Sequence, residues 1–127
     1  KKFDTKDGRG IILLQKAGTP VGFLSSGSNK NIINNRAKTL GVKHVYVGFE
    51  EKLGKLEQWC KKLKISLKEV AYIGDDLNDL KIIAAVGLTA CPADAVKQVK
   101  NEVDVILKNK GGAGCVREFI DQYLLDV

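Results

Sequence analysis

Several residue classes are scarce in this 127-residue chain, and each scarcity limits the functions open to it. Aromatic residues make up only 6% of the sequence, so the stacking surface that single-stranded nucleic acids require is difficult to build. The single histidine, His44, gives little support to catalysis by histidine. No apolar run approaches the roughly 18 residues of a membrane-spanning helix, and the first residues lack a signal-peptide pattern. We therefore expect no nucleic-acid partner and no membrane partner.

Cysteines are few, and their arrangement bears on the compartment. Cys60, Cys91 and Cys115 are odd in number and form no C-x-x-C pair. Such a set suits reduced thiols in a protein core better than disulfides or zinc ligands. The expected location is therefore the cytoplasm.

Positive charge is in excess, with 21 Lys and Arg against 15 Asp and Glu and a formal net charge of +6. The lysines are spread over the predicted helices and form no continuous basic tract. A few cations at one site suit a small anionic substrate such as a sugar phosphate.

Apolar strands alternate with helices along the chain. Short apolar runs predict strands at Val21–Leu24, Val42–Val47, Val70–Ile73, Val86–Cys91 and Val103–Leu107. Helices are expected between and around them, among others at about Gly10–Lys16, Glu50–Leu63 and Pro92–Val99. This alternation is typical of βαβ units and a parallel sheet. The predicted fold is therefore α/β, a doubly wound parallel sheet that forms a single domain over residues 1–127.

The stretch V-A-Y-I-G-D-D-L-N-D-L at residues 70–80 carries the strongest chemical signal. Its apolar run ends at Gly74, and Asp75, Asp76 and Asp79 follow within a few positions. Carboxylates this close repel one another unless a cation lies among them, and Mg²⁺ prefers such oxygen ligands. Open α/β sheets bind ligands at the carboxyl ends of their strands. The stretch predicts a Mg²⁺ site, although aspartates at a helix start also serve as caps.

Two earlier positions could bind an anion at the same edge of the sheet. Ser26 follows the first strand and offers a hydroxyl, and the adjacent Gly27 lets the backbone approach a ligand. Lys52 opens a helix, where the helix dipole disfavours a cation, so a bound phosphate would explain it. The alternatives are that Ser26 and Gly27 only form a turn and that Lys52 is only a solvated side chain.

A glycine-rich segment near the end of the sequence is a further candidate. Its backbone amides and the guanidinium of Arg117 could surround an anionic substrate, at Gly111, Gly112 and Gly114. The alternative is a flexible connection into the last helix.

These motifs, taken in order, resemble the haloacid dehalogenase superfamily. The resemblance rests on F-D-T-K-D-G-R-G-I at 3–11, on Ser26 with Gly27, on Lys52, on G-D-D-L-N-D at 74–79 and on K-G-G-A-G-C-V-R-E-F at 110–119. More narrowly, the chain is similar to the capless branch that dephosphorylates 3-deoxy-sugar-acid phosphates, octulosonate 8-phosphate and nonulosonate 9-phosphate among them. It also resembles the C-terminal domain of CMP-sialic acid synthetases. The resemblance covers essentially all 127 residues.

The resemblance implies a Rossmannoid fold, a homotetramer and specific roles for the candidate residues. Ser26 and Lys52 would contact the phosphate. Asp75 would bind Mg²⁺, with Asp76 and Asp79 in support. The remaining candidates would lie near the substrate: Gly27, Gly111, Gly112, Gly114 and Arg117.

The first motif of the family, D-x-D-G after a leading apolar strand, does not occur in the sequence. Asp4 and Asp7 are spaced D-x-x-D, and no apolar strand precedes them. By resemblance, the absent strand would be the central one, between the strands that begin at Val21 and Val70. We therefore expect an N-terminally truncated domain without its nucleophilic aspartate. A strand supplied by another chain and a natural loss of the motif are the alternatives.

Three functions are open on this basis. The first is Mg²⁺-dependent hydrolysis of a sugar-acid phosphate through an aspartyl-phosphate, with the nucleophile outside this chain. The second is a non-catalytic assembly domain at the C-terminus of a CMP-sialic acid synthetase. The third, a receiver domain, is disfavoured because Gly48, and not an aspartate, follows the predicted strand Val42–Val47.

Overall fold

The computed structural model describes residues 4–26 and 29–125, in which five short parallel strands lie between helices. The elements are α1 Thr5–Lys16, β1 Gly22–Ser25, α2 Lys30–Leu40, β2 His44–Val47, α3 Lys52–Leu63, β3 Ala71–Ile73, α4 Leu80–Ala85, β4 Leu88–Cys91, α5 Lys97–Lys100, β5 Val105–Ile106 and α6 Cys115–Phe119. Single 3₁₀ turns lie at Leu67–Glu69 and Leu77–Asp79, and a π-helical turn, Ile120–Leu124, continues α6. The predicted α/β architecture is confirmed.

The strands form two parallel sheets. In the first sheet β1 pairs with β2, from Gly22 opposite His44 to Ser25 opposite Val47. In the second sheet β4 lies between β3 and β5. A largely apolar cavity of about 570 Å³ is lined by residues of both β1 and β3. The sheet is therefore divided at the place where the resemblance implies a central strand.

Helices cover both faces of the strands, and β1 shows how the sequence achieves this. Its successive side chains point to opposite faces, as in any strand. Phe23 packs against the core of α1, α2 and the π-helical turn, whereas Leu24 packs against the core of α3 and α4. A third core joins β4 to α6 through Ala90 and Phe119. This arrangement is the doubly wound pattern that the alternation predicts.

Two predicted helix boundaries are wrong. Helix α1 begins at Thr5 and not at Gly10, because the Asp4 carboxylate caps it by accepting hydrogen bonds from the Lys6 and Asp7 amides at 2.7 and 3.4 Å. The helix predicted at Pro92–Val99 is confined to Lys97–Lys100, and a turn precedes it.

The buried thiols agree with the expectation from the cysteine pattern. Cys60, Cys91 and Cys115 are all buried and free. Burial, followed by the negative charge of Asp7, raises the pKa of the Cys115 thiol to about 11. Among the helices of residues 4–26 and 29–125, none has the length and apolar character to cross a membrane.

Candidate functional site

A polar cleft of about 350 Å³ lies at the carboxyl ends of β1 and β3. It brings together residues that are far apart in the sequence. Its lining includes most of the predicted site residues, namely Ser26, Lys52, Asp75, Asp76, Asp79 and Gly111. The structure therefore brings these six positions together around one cleft, while their chemical roles stay predictions.

The G-D-D-L-N-D stretch reaches the cleft through a tight turn after β3. A Cβ atom added at Gly74 would lie 2.6 Å from the Cβ of Asp79, so only glycine fits where the chain folds back. Asp76 then caps the following 3₁₀ turn, its Oδ1 accepting a hydrogen bond from the Leu77 amide at 2.7 Å. Capping, which was the alternative interpretation of these aspartates, is therefore observed for Asp76.

Asp79 is the most buried carboxylate of the cleft, with a side chain only 4% exposed. Its Oδ1 accepts hydrogen bonds from Lys52 Nζ at 3.0 Å and from the Tyr72 hydroxyl. Its Oδ2 accepts hydrogen bonds from the amides of Asp75 and Asp76 at 3.0 and 3.2 Å. Burial alone would raise the pKa of Asp79, but the hydrogen bonds from Tyr72 and Lys52 outweigh it and hold the pKa below its ordinary value. Asp79 is thus an ionised anchor for its neighbours.

The cleft lining also includes Tyr72 and Asn78, to which the sequence prediction assigns no role. Tyr72 lies in β3, and burial together with the charge of Asp79 raises the pKa of its phenol, which remains protonated and donates to Asp79. Asn78 donates from Nδ2 to the Ser26 hydroxyl at 2.5 Å. The sequence could have indicated that Tyr72 has a polar partner, because a tyrosine in a buried apolar run normally needs a hydrogen-bond partner for its hydroxyl.

The fit of the cleft to Mg²⁺ depends on which carboxylates face it. Within residues 4–26 and 29–125, no three His, Cys, Asp or Glu side chains are placed together to bind a metal ion. The Asp79 side chain accepts four hydrogen bonds, and the Asp76 side chain caps a turn. Asp75 is exposed and lines the cleft. Protein Mg²⁺ sites commonly use one or two carboxylates with waters and substrate phosphate. Asp75 fits such a site, and a ligand set of all three aspartates does not.

The glycine-rich segment is held by carboxylates. The Gly111 amide donates to Asp94 Oδ1 at 2.9 Å, and Glu118 accepts hydrogen bonds from the Lys108 and Asn109 amides at 2.9 to 3.1 Å. Of the described glycines of this segment, Gly111 lines the cleft, whereas Gly112 and Gly114 are absent from its lining. This geometry makes the segment an anchored turn.

Arg117 lies outside the lining of the cleft. Its Nε donates to Asp121 Oδ2 at 2.8 Å, one helical turn further on, and its backbone amide donates to Asp7 Oδ1 at 2.9 Å. The structure therefore gives Arg117 partners on α1 and on its own helix. The predicted site residue Gly27 lies outside the described residues.

Comparison with known proteins identifies the family of this chain. A model of the haloacid dehalogenase-like hydrolases matches residues 14–120. The chain belongs to this family. The match includes Ser26, Lys52 and Asp75, and it confirms the resemblance read from the motifs.

The curated relatives of this chain include 3-deoxy-D-manno-octulosonate 8-phosphate phosphatases. The protein from Yersinia pestis is 37% identical over 125 residues, and the one from Haemophilus influenzae is 39% identical over 124 residues. The alignments cover 98% of this chain but only 66% and 68% of those proteins. The chain therefore spans about two thirds of the length of these relatives.

Solved structures of related phosphatases share the fold of this chain. The phosphatase of Yersinia pestis superposes with a TM-score of 0.89 at 35% identity, covering 95% of this chain and 65% of that one. The phosphatase of Moraxella catarrhalis, solved in complex with magnesium, phosphate and KDO, gives a TM-score of 0.87 at 34% identity over 95% of this chain and 69% of that one.

Proposed function

We propose that the protein containing this chain hydrolyses a phosphate monoester of a 3-deoxy sugar acid at the polar cleft. The substrate would be of the octulosonate 8-phosphate or nonulosonate 9-phosphate type. The observation that carries the proposal is the meeting of Ser26, Lys52 and Asp75 in one cleft, with Asp79 holding Lys52 at 3.0 Å. The octulosonate 8-phosphate phosphatases among the relatives support the choice of substrate class.

Each residue has a task that phosphoryl transfer requires. Such transfer depends mainly on positioning and on neutralising the charge of the phosphoryl oxygens. The Ser26 hydroxyl would donate a hydrogen bond to a phosphate oxygen, and the Lys52 ammonium would supply positive charge. Asp75 would hold Mg²⁺, which when bound adds further positive charge beside the phosphate. The magnesium and phosphate in the Moraxella catarrhalis structure support this assignment.

We further propose that an additional apolar strand occupies the cavity between β1 and β3 in the complete protein. Neighbouring strands lie about 4.8 Å apart, and unpaired strand edges inside a protein leave amides and carbonyls without partners. A strand buried on both faces is apolar, which suits the lining of this cavity. Parallel to β1 and β3, it would end at the polar cleft. It could therefore deliver the nucleophilic aspartate of the proposed aspartyl-phosphate route.

Activity of the complete protein tests the first proposal. Hydrolysis of a 3-deoxy sugar-acid phosphate should require Mg²⁺, and Asp75→Ala should lower the rate by about 100-fold or more. Asp121→Ala is the matched control, because it removes a carboxylate outside the cleft lining and should leave the rate unchanged. A full rate in Asp75→Ala would refute the assignment.

Amide hydrogen exchange tests the proposed strand. If it pairs with both neighbours, the amides of β1 and β3 should exchange more slowly in the complete protein than in residues 1–127 alone. Equal exchange rates in the two proteins would contradict the proposal.

The finer predictions of location and assembly also belong to this proposal. The buried free cysteines support a reducing cytoplasm, and the tetramer rests on the resemblance alone. Sedimentation of the complete protein should give four copies. If the assembly alternative applied instead, removing residues 1–127 from a cytidylyltransferase parent would change its oligomer size and spare nucleotide transfer.

A further inference from the structure

Tyr72 occupies an unusual position in the centre of β3. Its side chain lines the polar cleft on one side and the apolar cavity between β1 and β3 on the other. Its hydroxyl donates to Oδ1 of Asp79, the same oxygen that accepts a hydrogen bond from Lys52 Nζ at 3.0 Å. A phenol and an ammonium group therefore share one carboxylate oxygen.

Oδ2 of Asp79 is not available to the Tyr72 hydroxyl or to Lys52, because the backbone amides of the turn already donate hydrogen bonds to it. Lys52 has three N–H donors, of which Asp79 takes one. A buried carboxylate attracts a cation more strongly when it loses another donor, since its charge is then less well satisfied. Without the Tyr72 hydroxyl, Asp79 would hold Lys52 more tightly and leave it less available to an anion in the cleft.

We propose that Tyr72 is a positioning residue for Lys52, acting through Asp79, and that it adjusts how strongly the cleft binds the phosphoryl group. The inference rests on the proposed phosphatase function. It assigns Tyr72 no contact with substrate. It predicts an effect on phosphate affinity that a purely structural hydroxyl would not have.

The inhibition constant of inorganic phosphate, a product of the proposed reaction, separates the two roles. Loss of folded protein lowers the apparent kcat but leaves this constant unchanged in the molecules that remain folded. In the complete protein, Tyr72→Phe should raise the constant roughly tenfold, the size expected from losing one hydrogen bond to a charged group. Tyr123→Phe is the control, because that side chain is 47% exposed, packs against Phe119 and lies outside the lining of the cleft.

A double-mutant cycle locates the effect at Asp79. In an Asp79→Asn background, Tyr72→Phe should change the inhibition constant by less than about twofold, because the shared charge is already absent. If Tyr72→Phe does not fold, 3-fluorotyrosine at position 72 replaces it. Its more acidic hydroxyl is a stronger donor, so the constant should fall below that of the unmodified protein.

The possible results are distinct. An unchanged inhibition constant in folded Tyr72→Phe, or in the fluorotyrosine protein, would overturn the role of Tyr72 while leaving the phosphatase proposal intact. If the unmodified complete protein neither hydrolyses the ester nor binds phosphate, the proposed function itself fails.

Discussion

Removing the Asp79 carboxylate should destabilise the fold far more than removing another paired carboxylate of the same chain. In Asp79→Ala, Lys52 and Tyr72 lose their shared acceptor, and two turn amides lose theirs. The side chains of Lys52 and Asp79 are 10% and 4% exposed, so water cannot readily replace the lost contacts. The matched control is Asp121→Ala, which breaks the ion pair between Asp121 and Arg117. The side chains of Arg117 and Asp121 are 31% and 47% exposed.

The magnitudes follow from burial. Removing one partner of a buried pair costs about 3–5 kcal/mol, because the remaining charge stays buried without compensation. An exposed pair one helical turn apart contributes about 0.3–0.5 kcal/mol. The free energy of unfolding should therefore be lower in Asp79→Ala than in Asp121→Ala by at least about 2.5 kcal/mol.

Urea unfolding at pH 7, followed by circular dichroism, measures this difference. The slope of the free energy against urea should be the same in both variants, so that the midpoints can be compared directly. Free energies within about 0.5 kcal/mol of each other would refute the view that Asp79 is the buried anchor of the cleft.

The same carboxylate should give the stability a dependence on pH. The pKa of Asp79 is lower in the folded protein than its ordinary value of 3.8, so near that pH the unfolded chain binds more protons than the folded one. The contribution of Asp79 is therefore fully present above about pH 4 and is lost as the pH falls through the folded pKa. The difference in free energy of unfolding between the unmodified protein and Asp79→Ala should therefore decrease below pH 4. A difference that stays constant with pH would contradict the lowered pKa of Asp79.

Two further predictions concern other contacts, and a third concerns the proposed dependence on Mg²⁺. Asp7→Ala should lower the free energy of unfolding by about 1 kcal/mol, because it removes the side-chain acceptor of the Arg117 amide at the start of α6; no loss in urea unfolding would contradict this. Glu118→Ala should speed hydrogen exchange at the Lys108 and Asn109 amides, which otherwise donate to that carboxylate, and unchanged exchange would show that the turn is held by other contacts. EDTA should abolish phosphate release by the complete protein and added Mg²⁺ should restore it, whereas activity that persists in EDTA would exclude the proposed metal dependence.

The positions of strands and their carboxyl ends were accessible from the sequence, because short apolar runs with a polar residue at the end repeat along the chain. The run from Val70 to Ile73 followed by Gly74 located β3 within one residue. Strand ends of a parallel sheet meet at one edge, so Ser26 and Asp75 could be placed together without a structure. That edge is where the cleft lies.

The start of α1 could not be read in the same way, because two glycines within it disfavour a helix on intrinsic preference. Tertiary contacts explain one of them: a Cβ at Gly10 would lie 2.8 Å from Arg117 Cδ, where α1 meets α6. Such a contact joins residues more than 100 positions apart and leaves no local pattern. The pairing of Arg117 with Asp121, by contrast, was readable from their four-residue spacing.

In the part of the chain that the structure describes, no strand of one sheet pairs with a strand of the other, yet side chains of the cleft connect the two sheets. Asn78, after β3, donates to Ser26, after β1, at 2.5 Å, and Asp79 pairs with Lys52, at the start of α3, at 3.0 Å. Both contacts lie at the carboxyl ends of the strands, and beneath them the packed side chains of α3 and α4 connect the same two halves. Ser26 and Lys52, which are proposed to contact phosphate, therefore also take part in contacts between the two halves. Substitutions at Lys52 or Asp79 should consequently alter both phosphate affinity and the packing between the two halves.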